Sequence, residues 1–157
     1  MAAFGFWRAL LLLPLMALAA CGGDTILAPA PTKVSMNVMA SNTINPNAEG
    51  RASPVVIRIY RLKSPAIFNE ADIFQLFEAE GATLGPDLLG REEMVVMPGS
   101  NQILDREVPD DTTYIGVIAN FRDADHAIWR GSAPITAHHT TDLAVGLRDS
   151  AVSVVAQ

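Results

Sequence analysis

The residues of this chain whose chemistry could do work are three histidines, several acidic pairs, scattered serines and one thiol. His138 and His139 are the first metal candidates. Neighbours on a strand point to opposite faces, so these two side chains cannot readily share one ion. His126, with Asp123 and Asp125, could form a weak cation site, but a polar hairpin turn has the same composition and is the favoured reading. No His-Glu-x-x-His pattern occurs to make a zinc site. No serine sits in the Gly-x-Ser-x-Gly elbow that would expose a nucleophile. Glu92-Glu93 and Asp110-Asp111 fall at predicted strand edges or turns, where solvated carboxylates are expected, and no glycine-rich loop could cradle a phosphate. No catalytic constellation emerges, which favours a binding or scaffold role.

The thiol is different. Cys21 is the only cysteine, so no intramolecular disulfide is available to it. Arg8, the apolar run from Ala9 to Leu18 and the small residues before Cys21 have the layout of a secretory signal. The twelve residues from Ala9 to Ala20, interrupted by Pro14, fall short of the about 20 that a spanning helix needs. Leu18-Ala19-Ala20-Cys21 resembles the lipobox of bacterial lipoproteins. That resemblance implies removal of residues 1–20 and lipid on Cys21. One acyl chain holds a membrane weakly, at about 0.8 kcal/mol per buried methylene, and two or more hold it firmly. Gly22, where an Asp would typically retain a lipoprotein at the inner membrane, favours the outer membrane.

Removing residues 1–20 leaves 137 of the 157 residues and, with Arg8 gone, moves the formal side-chain charge from −6 to −7. This is the size of one domain. An acidic chain without a Lys/Arg cluster offers nothing to a phosphate backbone or an anionic lipid surface, so nucleic acid is not an expected partner. Membrane attachment then falls to Cys21.

Residues 21–32, with Gly22, Gly23, Pro29 and Pro31, suit an extended tether, and residues 33–157 form the expected domain. Val34, Met36 and Val38 alternate with Ser35 and Asn37, the period-2 pattern of a half-buried strand over Lys33–Met39. Ser41 to Pro54 is a polar loop rich in turn residues. Val55, Ile57 and Ile59 set one face of a strand over Pro54–Leu62, with Arg58 and Tyr60 on the other. One helix is expected over Asn69–Glu80, capped by Asn69, stapled by Phe68 and Ile73 and ended by Gly81. Short strands follow at Glu93–Met97, Gln102–Val108, Thr113–Phe121, Ala127–Trp129, Thr141–Leu147 and Ala151–Val155. Such evenly punctuated strands without alternating helices predict an all-β, antiparallel two-sheet sandwich with one short helical insertion near 69–80. Trp129 should pack at least partly into the core, leaving Arg130 facing out.

The ordered landmarks carry a further resemblance. Asn45-Pro46, Gly50-Arg51 and Ser53-Pro54 lead into Val55-Val56-Ile57-Arg58-Ile59-Tyr60-Arg61-Leu62. Phe68, Ala71-Asp72, Leu76, Leu84, Leu88-Leu89 and Pro98-Gly99 follow, then Tyr114-Ile115-Gly116-Val117, Phe121-Arg122-Asp123 and Trp129-Arg130. This set resembles the type VI secretion lipoproteins of the TssJ (SciN, VasD) family. The resemblance implies a transthyretin-like sandwich on the inner leaflet of the outer membrane, facing the periplasm. It implies a non-enzymatic role without cofactors: binding the periplasmic part of the inner-membrane protein TssM and, with TssL, building an envelope-spanning complex. It also implies that the loop between the first two strands, with Asn45, Pro46, Asn47, Ala48, Glu49 and Gly50 at its centre, contacts TssM. A lipid-anchored carrier of small ligands is the alternative.

Overall fold

The computed structural model of the protein describes residues 28–157; Cys21, the signal segment and the first part of the tether lie outside the described residues. Eight strands are present: β1 (Lys33–Ala40), β2 (Val55–Leu62), β3 (Leu88–Val96), β4 (Asn101–Glu107), β5 (Tyr114–Ala119), β6 (Arg130–Pro134), β7 (Thr140–Arg148) and β8 (Ala151–Ala156). They form two four-stranded sheets, in the orders β4-β1-β7-β8 and β3-β2-β5-β6. The expected two-sheet β-sandwich is therefore the fold. Its pairs are antiparallel except one: β1 runs parallel to β7 while pairing antiparallel with β4 on its other side. Side-chain alternation fixes which face of a strand is buried but not which distant strand lies beside it.

Alternation explains the core directly. Val34, Met36 and Val38 of β1, Val55, Ile57 and Ile59 of β2, and Leu143, Val145 and Leu147 of β7 meet between the sheets. Each such side chain stabilises the fold by about 1.5–3 kcal/mol when fully buried. The space between the sheets is thus filled by protein.

Three elements depart from the sequence expectation: β3, β6 and the helical insertion. β3 begins at Leu88, five residues before the expected Glu93. The strand expected over Ala127–Trp129 is displaced to β6, and Ile128 makes only an isolated parallel bridge to Ala151. The sequence of β6 places a single fully buried residue, Ala133, among small and polar ones, so it carries no alternation of bulky groups to read.

The helical insertion is where the sequence puts it but is divided into α1 (Ala66–Glu70), α2 (Ile73–Glu78) and α3 (Glu80–Leu84), with a short 3-10 turn at Gly85–Asp87. The chain extends at Ala71, and the cap is Asp72 rather than Asn69. Asp72 accepts from the Gln75 N–H at 2.8 Å while Gln75 accepts from the Asp72 N–H at 3.0 Å. This reciprocal box satisfies amide groups that a continuous helix would have bonded internally, so it starts a new helix at that point. Gly81 lies inside α3, and Gly85, at φ 51°, ends it.

The insertion covers the outer face of the β3-β2-β5-β6 sheet. Tyr60, Leu62 and Ile118 from the strands pack with Phe68, Ala71, Leu76 and Leu84 in a second core. A Cβ at Gly116 would stand 2.7 Å from the Phe68 ring, so the absence of a side chain there lets the helices approach the sheet.

Candidate functional site

The loop between β1 and β2 forms one pole of the sandwich together with the segments that follow β3, β5 and β7. Gly99 N–H donates to Ser41 O, and Asn45 N–H donates to Asp149 O at 2.7 Å. The loop is therefore fastened at its base, and Ile44 is buried in the main core.

The six residues expected to contact a partner divide into two groups. Asn45 is buried, at 4% exposure, in the left-handed region at φ 48°. Its side-chain N–H donates to Pro54 O at 2.8 Å and its Oδ1 accepts from Arg122 N–H at 2.8 Å. Asn45 shapes the loop from within. Asn47 holds the tip: its Oδ1 accepts from the N–H groups of Glu49 and Arg51, and Gly50 N–H donates to its carbonyl. Gly50, at φ 77°, closes this turn at the conformation glycine adopts without strain. Ala48, Glu49 and Gly50 are exposed, and Pro46 and Asn47 half-buried. The chain thus presents a short, internally bonded tip on a buried polar clip.

Other loops complete the surface. Pro46, Asn47 and Ala48 line a shallow hollow whose opposite wall is Arg122, Asp123 and Ser150. Ile128, 65% exposed, stands next to it and donates its N–H to Ser150 O. Phe121-Arg122-Asp123 carried the signal for this wall as one of the ordered landmarks, although nothing in its spacing tied it to Asn45.

The histidines have structural partners. His126 Nδ1 lies 2.8 Å from Asp123 Oδ1, and this contact raises its pKa above the ordinary histidine value. His138 adopts φ 60° in a turn, with Nδ1 3.0 Å from Ala30 O, while His139 bonds its own turn at Ala137 O. Thr32, buried, donates to Asp110 Oδ1 at 2.6 Å and accepts from His138 N–H. These contacts fasten Ala30 and Thr32, which the sequence placed in a flexible tether, against the domain at the pole opposite the β1–β2 loop. No group of three or more potential metal ligands occurs among the described residues. No helix among them is long and apolar enough to cross a membrane.

Trp129 is half-buried against both cores, as expected, but Arg130 does not face free solvent. Its guanidinium stacks 4.8 Å from the Trp129 ring and donates to Phe68 O and Ala71 O, the carbonyl end of α1. Arg58 does the same for α2, donating to Leu76 O and Phe77 O while pairing with Glu93 and Glu80. The Tyr60 hydroxyl joins Leu76 O and Glu80, and burial pushes its phenol well above the usual tyrosine range. Positive groups at helix carbonyl ends complement the helix dipole. Sequence reasoning left Arg130 facing out and placed Arg58 only on the strand face opposite Val55, Ile57 and Ile59.

The sequence model of the type VI secretion lipoproteins (VasD, EvfM, TssJ) matches residues 32–150. The chain belongs to this family. The crystal structure of the type VI lipoprotein TssJ1 from Pseudomonas aeruginosa is 34% identical, with a TM-score of 0.77 over 81% of this chain and 97% of that one. Serratia marcescens Lip, described as a membrane-bound component of the type VI secretion system, is 27% identical, with a TM-score of 0.69 over 80% and 98%. A chain of a structure described as the type VI membrane complex shares the fold at 23% identity, with a TM-score of 0.67 over 81% and 98%. Among curated proteins, none matches this type VI lipoprotein significantly.

Proposed function

We propose that this type VI lipoprotein is a non-enzymatic assembly component that joins the outer membrane to the periplasmic domain of TssM, in a complex that also holds TssL. Residues 1–20 are the signal, residues 21–32 the lipidated tether and residues 33–157 the periplasmic domain. Lipid on Cys21 holds the protein in the inner leaflet of the outer membrane, and the β1–β2 loop around Asn45, Pro46, Asn47, Ala48, Glu49 and Gly50 meets TssM.

The observation that carries this reading is the placement of the two ends of β1. The tether enters at Lys33, clamped beside Thr32, Asp110 and His138. The loop leaves at the far end, after Ala40. Eight residues of strand separate the two by about 26 Å at roughly 3.3 Å per residue. A domain held by its tether thus turns the loop away from its membrane. The pre-bonded tip lowers the ordering cost of recognition.

Deleting Ala48 to Gly50 tests the loop. The expected result is loss of co-purification with the TssM periplasmic domain while the circular dichroism spectrum and cooperative melting persist; undiminished co-purification would remove the loop from the interface. Cys21→Ser tests the anchor by fractionation. The protein is expected to leave the membrane fraction, and its retention there would require another attachment.

A further inference from the structure

The helical insertion carries a surface that loop recognition leaves unused and whose properties are independent of the TssM reading. Of its three phenylalanines, Phe68 is buried and Phe77 lies beneath the Arg58 guanidinium, 4.6 Å from ring centre to charge. Phe74 does neither. It is 69% exposed, and Ile67 on α1 is 41% exposed. A groove lined by Ile67, Glu70, Ala71, Gln75, Ala82 and Thr83 runs between the three helices.

This groove rests on a fixed floor. Arg130 holds the carbonyl end of α1, Arg58 and Tyr60 hold that of α2, and Phe68 fits against Gly116. The backbone that carries Ile67, at the groove, and Phe74, one residue before Gln75 of its lining, is therefore held in place.

Charge defines what can cover them. Between Ala66 and Asp87 there are five carboxylates, Glu70, Asp72, Glu78, Glu80 and Asp87, and no Lys or Arg. Glu80 is neutralised by Arg58 and Arg91. Glu70, Asp72 and Glu78 are exposed and form no ion pair among the described residues. An anionic lipid surface is repelled by such a rim. A segment with an apolar stripe flanked by Lys or Arg gains on both counts, covering Phe74 and Ile67 while meeting the carboxylates.

We propose that the α1–α3 face, centred on Phe74 and Ile67, docks a basic amphipathic segment of a partner protein, at a surface separate from the β1–β2 loop. The probe is a synthetic helical peptide with Leu at i, i+3, i+4 and i+7 and Lys on the flanks, alongside its Glu-for-Lys counterpart. Each is titrated into the isotope-labelled mature chain carrying Cys21→Ser and followed by amide chemical shifts. The Lys peptide is expected to give saturable shifts concentrated in residues 66–87, weakening with added salt, and the Glu peptide none. Phe74→Ser should weaken binding at least tenfold with unchanged melting, and Glu70→Lys with Glu78→Lys should weaken it similarly. The proposal is overturned by an absence of saturable binding or by shifts centred on the β1–β2 loop. Equal binding by Phe74→Ser, meaning charge adsorption alone, overturns it too. So does concentration-dependent movement of these amides without peptide, which would make the occupant a second copy of this chain.

Discussion

Asn45 and Arg122, 77 residues apart in sequence, are joined by a 2.8 Å hydrogen bond from the Arg122 amide to the Asn45 side-chain oxygen. The same amide side chain donates to Pro54 O across the mouth of its own loop. One buried residue therefore ties the β1–β2 loop to the segment after β5, and the hollow between them inherits its shape from that tie.

Asn45→Ala is expected to lower stability by about 2–3 kcal/mol, because it leaves the Arg122 N–H and Pro54 O without their partner and places a Cβ residue without amide compensation at φ 48°. Asn45→Gly removes the conformational strain but not the lost bonds, and should sit between the two. Urea denaturation ranks the three proteins; equal midpoints for the native protein and Asn45→Ala would show that the clip contributes nothing to stability.

Gly116→Ala should destabilise the domain by about 1–3 kcal/mol, since the new methyl meets the Phe68 ring at 2.7 Å inside a packed second core. Combining it with Phe68→Leu should recover part of the loss. Additive losses in the double variant would show that the helices do not press on β5 there.

Arg58→Met keeps the aliphatic stem but leaves the Phe77 carbonyl without its donor and Glu80 and Glu93 with Arg91 as their remaining cation. The side chain is 15% exposed, so solvent replaces only part of what is lost. A loss of about 2–3 kcal/mol is expected. Amide exchange should accelerate selectively in α2 and α3; uniform acceleration across both sheets would contradict a local role.

His126 should titrate above the ordinary value of about 6.5 and return towards it in Asp123→Asn, as followed by the ring proton shifts. A raised folded-state pKa contributes stability that is fully present below about pH 6.5 and is lost as pH rises through the folded value. The pair is exposed, so the Asp123→Asn effect on melting should be slight and confined to that acidic side. A lower His126 pKa in the native protein than in the variant would reverse the assignment.

Much of the fold was legible because bulky apolar residues alternate. In β1 and β7 the buried positions follow the period-2 pattern, and in β2 they follow it as far as Ile59, after which Tyr60 and Leu62 are buried in the second core. What escaped was set by partners distant in sequence. β6 carries glycine, serine and alanine where a readable strand carries large residues, and it is held by β5 instead. Asn69 looked like a cap, yet the reciprocal bonds of Asp72 and Gln75 decide where α2 starts. At the loop, exposure of Ala48, Glu49 and Gly50 follows from turn chemistry, whereas the burial of Asn45 depends on Arg122 and Asp149, which no local pattern reveals.

The central position of β1 has a mechanical meaning. The strand is laddered to β4 on one side and β7 on the other. A pull between the clamped end at Lys33 and the loop beyond Ala40 runs along its axis, so both ladders are loaded in shear at once instead of being peeled open bond by bond. Tension between the proposed anchor and the proposed loop contact would therefore be shared by both ladders of β1.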